Sequence, residues 1–134
     1  MLKNPIKEAE RYMQNAKKIL SEKAEKDGGF YQDQKYVKMA GNTAWCGVLV
    51  ALDAATDVCQ SLKKGQRVDF KDYQNAVAKK DRKMNMPLLA AYESLHKALG
   101  YDGNPDYKIV QASLDNGKKL IEWAAKHYKP AKAA

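Results

Sequence analysis

Between Tyr36 and Leu62 the apolar and small residues recur with the period of a helix. Val37, Ala40, Ala44, Val48, Ala51, Ala55, Val58 and Leu62 fall on one stripe when successive residues are turned by about 100°. Lys38, Asn42, Asp53, Thr56, Asp57 and Gln60 fall opposite, but Met39, Cys46 and Leu49 interrupt that polar side, and Trp45 lies between the two. The middle of the segment is therefore apolar almost all round, which is the signature of a helix buried among others. Gly41 and Gly47 flank the stripe, where the lack of a side chain lets another backbone come close.

The remaining apolar positions group into four amphipathic segments around this one. Asn4 and Pro5 supply a cap and a first-turn proline, and Ile6, Ala9, Tyr12, Met13, Ala16, Ile19 and Leu20 then share a face, until Asp27, Gly28 and Gly29 stop the first helix. Phe30 and Tyr31 follow and are expected to cover the end of the core. The second helix is expected to begin near Asp33 and to run to Lys63, Lys64 and Gly65, basic residues and a glycine suited to a helix end. Asp69 caps a short third helix, with Val68 and Tyr73 placed as a hydrophobic staple and Phe70, Tyr73 and Val77 as its stripe.

Pro87 predicts a break at Asn85 and Met86, after which Leu88, Leu89, Tyr92, Leu95 and Leu99 form the fourth helix and Gly100 ends it. Asn104 and Pro105 repeat the opening device of the chain and start the fifth, whose inner stripe is Val110, Leu114, Gly117, Ile121, Ala124 and Tyr128. Pro130 closes it, and AKAA is expected to be a frayed tail. No alternating strand pattern or internal repeat is visible. Short connections favour antiparallel neighbours, so the expected architecture is all-α: a single domain over residues 1–134, a five-helix, mainly antiparallel up-and-down bundle around helix 2.

Length and charge narrow the function classes only a little. A chain of 134 residues can bury a proper core. The polar N-terminus MLKNPIKEAE lacks the apolar core of a signal peptide, which points to the cytoplasm, and the longest apolar run, Ala44 to Leu52, is short of the roughly 20 residues of a membrane span. Cys46 and Cys59, both placed on helix 2 and thirteen residues apart, would be separated by roughly 20 Å, too far for a disulfide. They read as reduced thiols. The net charge is +8, and the eight basic and three acidic residues from Lys63 to Lys83 contribute +5 of it. The tightest cluster, Lys79, Lys80, Arg82 and Lys83, is a candidate for phosphate contacts, against the plainer reading of a solvated turn.

Catalytic chemistry is hard to find. Glu93 and His96 form an E-x-x-H sequence on helix 4, the half-motif of a di-iron bundle, but the other histidine, His127, has Ala124 in the glutamate position. No metal is expected, and without a Gly-rich phosphate loop or nucleophile elbow no cofactor is expected either. An enzyme would need polar groups converging from separate helices, and the balance is against one. HEPN domains are also small helical bundles, several of which cleave RNA with an arginine followed within a few residues by a histidine. Arg82 and His96 are fourteen apart, so any likeness is one of helix order.

More informative are the apolar residues that the bundle does not call for: Met39, Cys46 and Leu49 on helix 2, and Ile109 and Trp123 on helix 5. Either another helix of the chain covers them, or they form a contact patch for a second copy or another protein. The segments FYQDQKYVKMAGNTAWCGVLVALD and GYDGNPDYKIV resemble a family of uncharacterised bacterial proteins of similar length. The resemblance extends over nearly the whole chain. It implies a compact five-helix bundle and no activity, cofactor or catalytic residue. The expectation is a non-enzymatic cytoplasmic interaction or scaffold protein, in one form a homodimer, with a basic nucleic-acid-binding bundle as the alternative.

Overall fold

A computed structural model describes residues 4–60 and 65–130. Helix α1 (Pro5–Lys23) starts as expected: the Asn4 side chain accepts the Lys7 N–H at 3.1 Å, and Pro5 occupies the first turn, where its missing N–H costs no helical bond. Ala9, Met13, Ala16 and Leu20 are its buried face. The helix stops before Asp27, and Glu25 adopts the left-handed region (φ 54). A short antiparallel hairpin follows, β1 (Lys26–Asp27) and β2 (Phe30–Tyr31), with Gly28 at φ 64 in its turn. The expectation of no strand is corrected here. Two-residue strands are too short to alternate visibly, and this pair depends on tertiary bonds, Tyr31 N–H to Pro105 C=O and Tyr107 N–H to Gly29 C=O, both 2.9 Å. Tyr31 covers the core as expected, whereas Phe30 points outward.

Helix α2 (Gln34–Ala55) is capped by Asp33, whose carboxylate accepts the Lys35 N–H at 3.1 Å. Its stripe is buried from Val37 to Ala55, and Val58 beyond it is buried too. The helix nevertheless ends at Ala55 rather than near Lys63. Thr56 turns out into an extended conformation, its hydroxyl donating to Leu52 C=O at 2.7 Å and accepting the Val58 N–H at 3.4 Å. Such local side-chain bonds compete with a further helical turn. Leu62, Lys63 and Lys64 lie outside the described residues. Cys59 is off the helix, so the helical distance expected between the cysteines does not apply, and both thiols are free and exposed.

Helix α3 (Phe70–Lys80) has a full capping box, Asp69 and Asp72 each accepting the other's backbone N–H. A single 3-10 turn (Arg82–Met84) leads into α4 (Asn85–Ala91). The break therefore falls at Asp81 rather than at Asn85 and Met86. Pro87 is accommodated in the first turn of α4, among the N–H positions that have no helical partner. From Tyr92 to Leu99 the same helix widens to a π-helix, which the sequence reading missed.

Gly100 does not end it in the left-handed region (φ −65); Gly103 takes that conformation instead (φ 65). Helix α5 (Tyr107–His127) is capped by Asp106, which accepts the Lys108 N–H at 2.9 Å. Asn104 and Pro105 were displaced from the role expected of them: Asn104 Oδ1 accepts the Asp106 N–H, and the Pro105 carbonyl is taken by the hairpin.

The result is the all-α bundle expected, with α2 packed against α1, α5 and the π-helical segment. Gly47 marks the α1 crossing, where a Cβ would lie 2.7 Å from Tyr12 Cβ and 2.9 Å from Ala9 O. Among the described residues no helix is long and apolar enough to cross a membrane.

Candidate interaction surfaces

The off-stripe apolar residues divide into two groups. Trp123 is covered by its own chain: it is 7% exposed, its ring packs 4.5 Å from His127, and its Nε1–H donates to Asp81 Oδ2 at 3.2 Å. It cannot serve as a surface anchor in this fold. Met39 (46% exposed) and Cys46 stand open on the outer ridge of α2, Leu49 is half-buried against the core, and Ile109 (39% exposed) is open in the first turn of α5. Two further exposed apolar groups, Phe30 and Tyr101, lie on the hairpin and on the loop before α5, near the N-terminal ends of α2 and α5. Sequence reasoning took Phe30 for core and did not single out Tyr101; neither lies in a periodic segment that would have shown which way it points.

The basic cluster is organised by the acid in its middle. Asp81 turns inward, one oxygen accepting the Trp123 indole N–H and the other the Lys83 N–H at 3.1 Å. Lys79, Lys80, Arg82 and Lys83 are left exposed around it. Lys79 and Lys80 line a cleft of about 450 Å³ together with Asp57, Ala76, His127 and Lys129. Lys79 is 3.7 Å from the Asp57 carboxylate. Arg82 and Lys83 sit on the 3-10 turn and are not among the cleft residues. The structure thus splits the four cations and adds His127 and Lys129 to the first pair, an association that depends on how the ends of α3 and α5 meet.

The E-x-x-H pair is also rearranged. Each member is engaged by a residue four positions away: Glu93 approaches Lys97 (3.9 Å), and His96 stacks on Tyr92 with ring centroids 5.3 Å apart. Tyr92 in turn stacks on Phe70 (3.9 Å), with Trp45 against its edge. Among the described residues no three His, Cys, Asp or Glu side chains form a group that could hold a metal.

One polar group intrudes on the core. The Tyr73 hydroxyl, on a buried ring, donates to Asp53 Oδ1 at 2.7 Å, and Cys59 Sγ lies 3.8 Å from the same oxygen. Burial pushes the Asp53 carboxyl above its ordinary range, only partly offset by the Tyr73 and Cys59 hydrogen bonds. Burial and the neighbouring carboxylate likewise push the Cys59 thiol up, which makes it a poor nucleophile. A raised carboxyl favours the fold in its protonated form, so that contribution is complete below the ordinary carboxylate pKa and is lost as pH rises through the folded-state value. Asp53→Asn keeps an acceptor for Tyr73 without the charge. It should therefore be at least as stable as the parent at pH 7, and the gap should close near pH 4. The effect is modest, since Asp53 keeps much of its exposure. Thermal melts at the two pH values check it; a variant less stable by the same margin at both would contradict it.

Comparison with known proteins supplies a family and no activity. No curated protein matches the chain. A solved structure, of a protein of unknown function from Dyadobacter fermentans, is 40% identical, with a TM-score of 0.82 over 91% of this chain and 94% of that one. Residues 4–126 match the family described as Domain of unknown function (DUF5618), and the chain belongs to that family.

Proposed function

We propose that the protein is a non-enzymatic interaction or scaffold protein, a single domain working in the cytoplasm, which docks another protein on the outer ridge of α2. The observation that carries this reading is the exposure of Met39 and Cys46, with Leu49 half-buried beside them, on the solvent-facing side of a helix whose opposite stripe is core. Scattered exposed apolar residues are ordinary. These three recur at helical spacing along about 15 Å of one helix, and Ile109, Phe30 and Tyr101 add apolar surface towards that end of the bundle. A second reading, a basic nucleic-acid-binding bundle with only a distant architectural likeness to HEPN domains, is favoured by the grouping of Lys79, Lys80, His127 and Lys129 around one cleft. The Asp57 carboxylate beside Lys79 weighs against it, because it already neutralises part of that charge.

One experiment separates the two. A benzophenone side chain is placed at Met39 or at Lys80 of the full chain and irradiated in living cells. The first reading expects a discrete protein adduct from position 39 that disappears with Cys46→Arg. Nuclease-sensitive adducts from position 80, with nothing specific from 39, would replace it with the second.

A further inference from the structure

A cavity of about 540 Å³ opens where the hairpin meets α1 and α5. That lies within the usual range of small-molecule sites, roughly 300 to 1,000 Å³. Three short rows of side chains converge on it. Lys17, Leu20 and Ser21 come from one face of α1, and Tyr107, Gln111 and Leu114 from one face of α5, both at the spacing of helical neighbours. Lys26 and Tyr31 complete it from the hairpin, where they are paired across the ladder and so project from the same side. None of these residues belongs to the α2 ridge.

Leu20, Leu114 and Tyr31 are buried and give the cavity an apolar floor, with the Tyr31 and Tyr107 ring centroids 6.0 Å apart. The polar groups around that floor are neutral or cationic: no carboxylate lines the cavity, although the chain has 16 Asp and Glu. The Lys26 ammonium lies 3.8 Å from the centre of the Tyr107 ring, and neither Lys26 nor Lys17 has a carboxylate within 4.0 Å among the described residues. A ring face is a weaker partner for a cation than an anionic oxygen, so Lys26 is free to pass to an anion. Burial, and after it the neighbouring Tyr107, push the Tyr31 hydroxyl above its ordinary pKa, so it stays an O–H donor rather than a phenolate. The rings are also held in advance of any ligand. Tyr31 N–H donates to Pro105 C=O and Tyr107 N–H to Gly29 C=O, both at 2.9 Å, which fixes the hairpin to the start of α5 through the main chain.

We propose that this cavity binds a small phosphate monoester with an apolar or aromatic body, its phosphate held by Lys17 and Lys26 and its body laid against Leu20, Leu114 and the tyrosine rings. Such a phosphate carries about −1.5 to −2 charge at pH 7, which matches two lysines that have no counter-ion. Its oxygens accept hydrogen bonds, and Ser21, Gln111 and the Tyr31 hydroxyl supply donors beside the lysines. A single carboxylate would leave one lysine uncompensated. Inorganic phosphate would leave the apolar floor uncovered.

Amide NMR spectra of the full chain titrated with 1-naphthyl phosphate test this. Saturable shifts are expected at Ser21, Lys26, Tyr31 and Gln111, with a dissociation constant below about 1 mM, which a ligand of this size reaches at modest efficiency. Inorganic phosphate alone and 1-naphthol alone should each bind at least about tenfold more weakly, since each lacks one half of the complement. Lys17→Gln with Lys26→Gln should weaken binding of the ester at least about tenfold. Lys17→Gln alone, which disturbs no ring contact, should act in the same direction. The charge-matched control, Lys79→Gln with Lys80→Gln, should change it by less than about twofold in physiological salt. Circular dichroism checks that the variants fold. The inference is overturned by the absence of saturable shifts at about 5 mM ester, or by shifts centred on the Lys79 and Lys80 cleft or on the α2 ridge. It is equally overturned if inorganic phosphate or 1-naphthol binds as tightly as the ester, or if the control lysines matter as much as Lys17 and Lys26.

Discussion

Replacing Trp123 with alanine is expected to lower the unfolding free energy by about 3 to 5 kcal/mol, the range for deleting a large buried aromatic. Two losses combine. The indole leaves a cavity between the end of α5 and the turn after α3, and Asp81 Oδ2 loses its donor. Trp123→Phe separates them, because it keeps most of the ring and removes only the hydrogen bond; a cost of about 1 to 2 kcal/mol is expected. Urea denaturation followed by circular dichroism measures both. If Trp123 were instead an interface residue, alanine would weaken association and leave the unfolding of the isolated chain nearly unchanged, within about 0.5 kcal/mol. That result would return Trp123 to the surface.

Trp123 also shows what the sequence could and could not convey. Its position off the α5 stripe is legible from helical periodicity. What covers it is Asp81, forty-two residues away, in a segment that reads locally as part of a basic cluster. Local patterns identified five helices, the buried stripe of α2, its start near Asp33 and the caps at Asn4 and Asp69, because these depend on neighbours within a turn or two. They misplaced the start of α5 for the opposite reason: Asn104 and Pro105 are a good local cap, and the hairpin takes the Pro105 carbonyl for itself. The grouping of Lys79 and Lys80 with His127 is likewise a consequence of helix placement. The early end of α2 at Thr56 had a local signal, a hydroxyl able to bond back to Leu52, but the continuing apolar stripe through Val58 concealed it.

Gly41→Ala is the other substitution expected to act strongly, and its sign is the reverse of what helix propensity suggests. In an exposed helix interior, alanine for glycine stabilises by about 1 kcal/mol. Here the new methyl would lie 2.5 Å from Leu99 Cβ, 2.7 Å from Gly100 N and 2.8 Å from Leu95 O. Two of those three atoms are backbone, so no rotamer change relieves the contact. The two backbone atoms are partners in one bond, the Gly100 N–H donating to Leu95 C=O at 2.9 Å across five residues. The widened π turn is therefore what α2 lies against, and separating the two would also stretch the bond from Asn42 Nδ2 to Gly100 C=O. A net loss of about 3 kcal/mol is expected, at the upper end for overpacking. Gly29→Ala is the control: nothing lies within 4 Å and its backbone is not left-handed, so it should be neutral or slightly stabilising, by up to about 1 kcal/mol. Hydrogen exchange locates the damage. In Gly41→Ala the Gly100 amide should exchange faster than in the parent, while amides of α1 change only as far as global stability falls. Equal stability for the alanine variant and the parent would mean that α2 and the π turn are not in backbone contact.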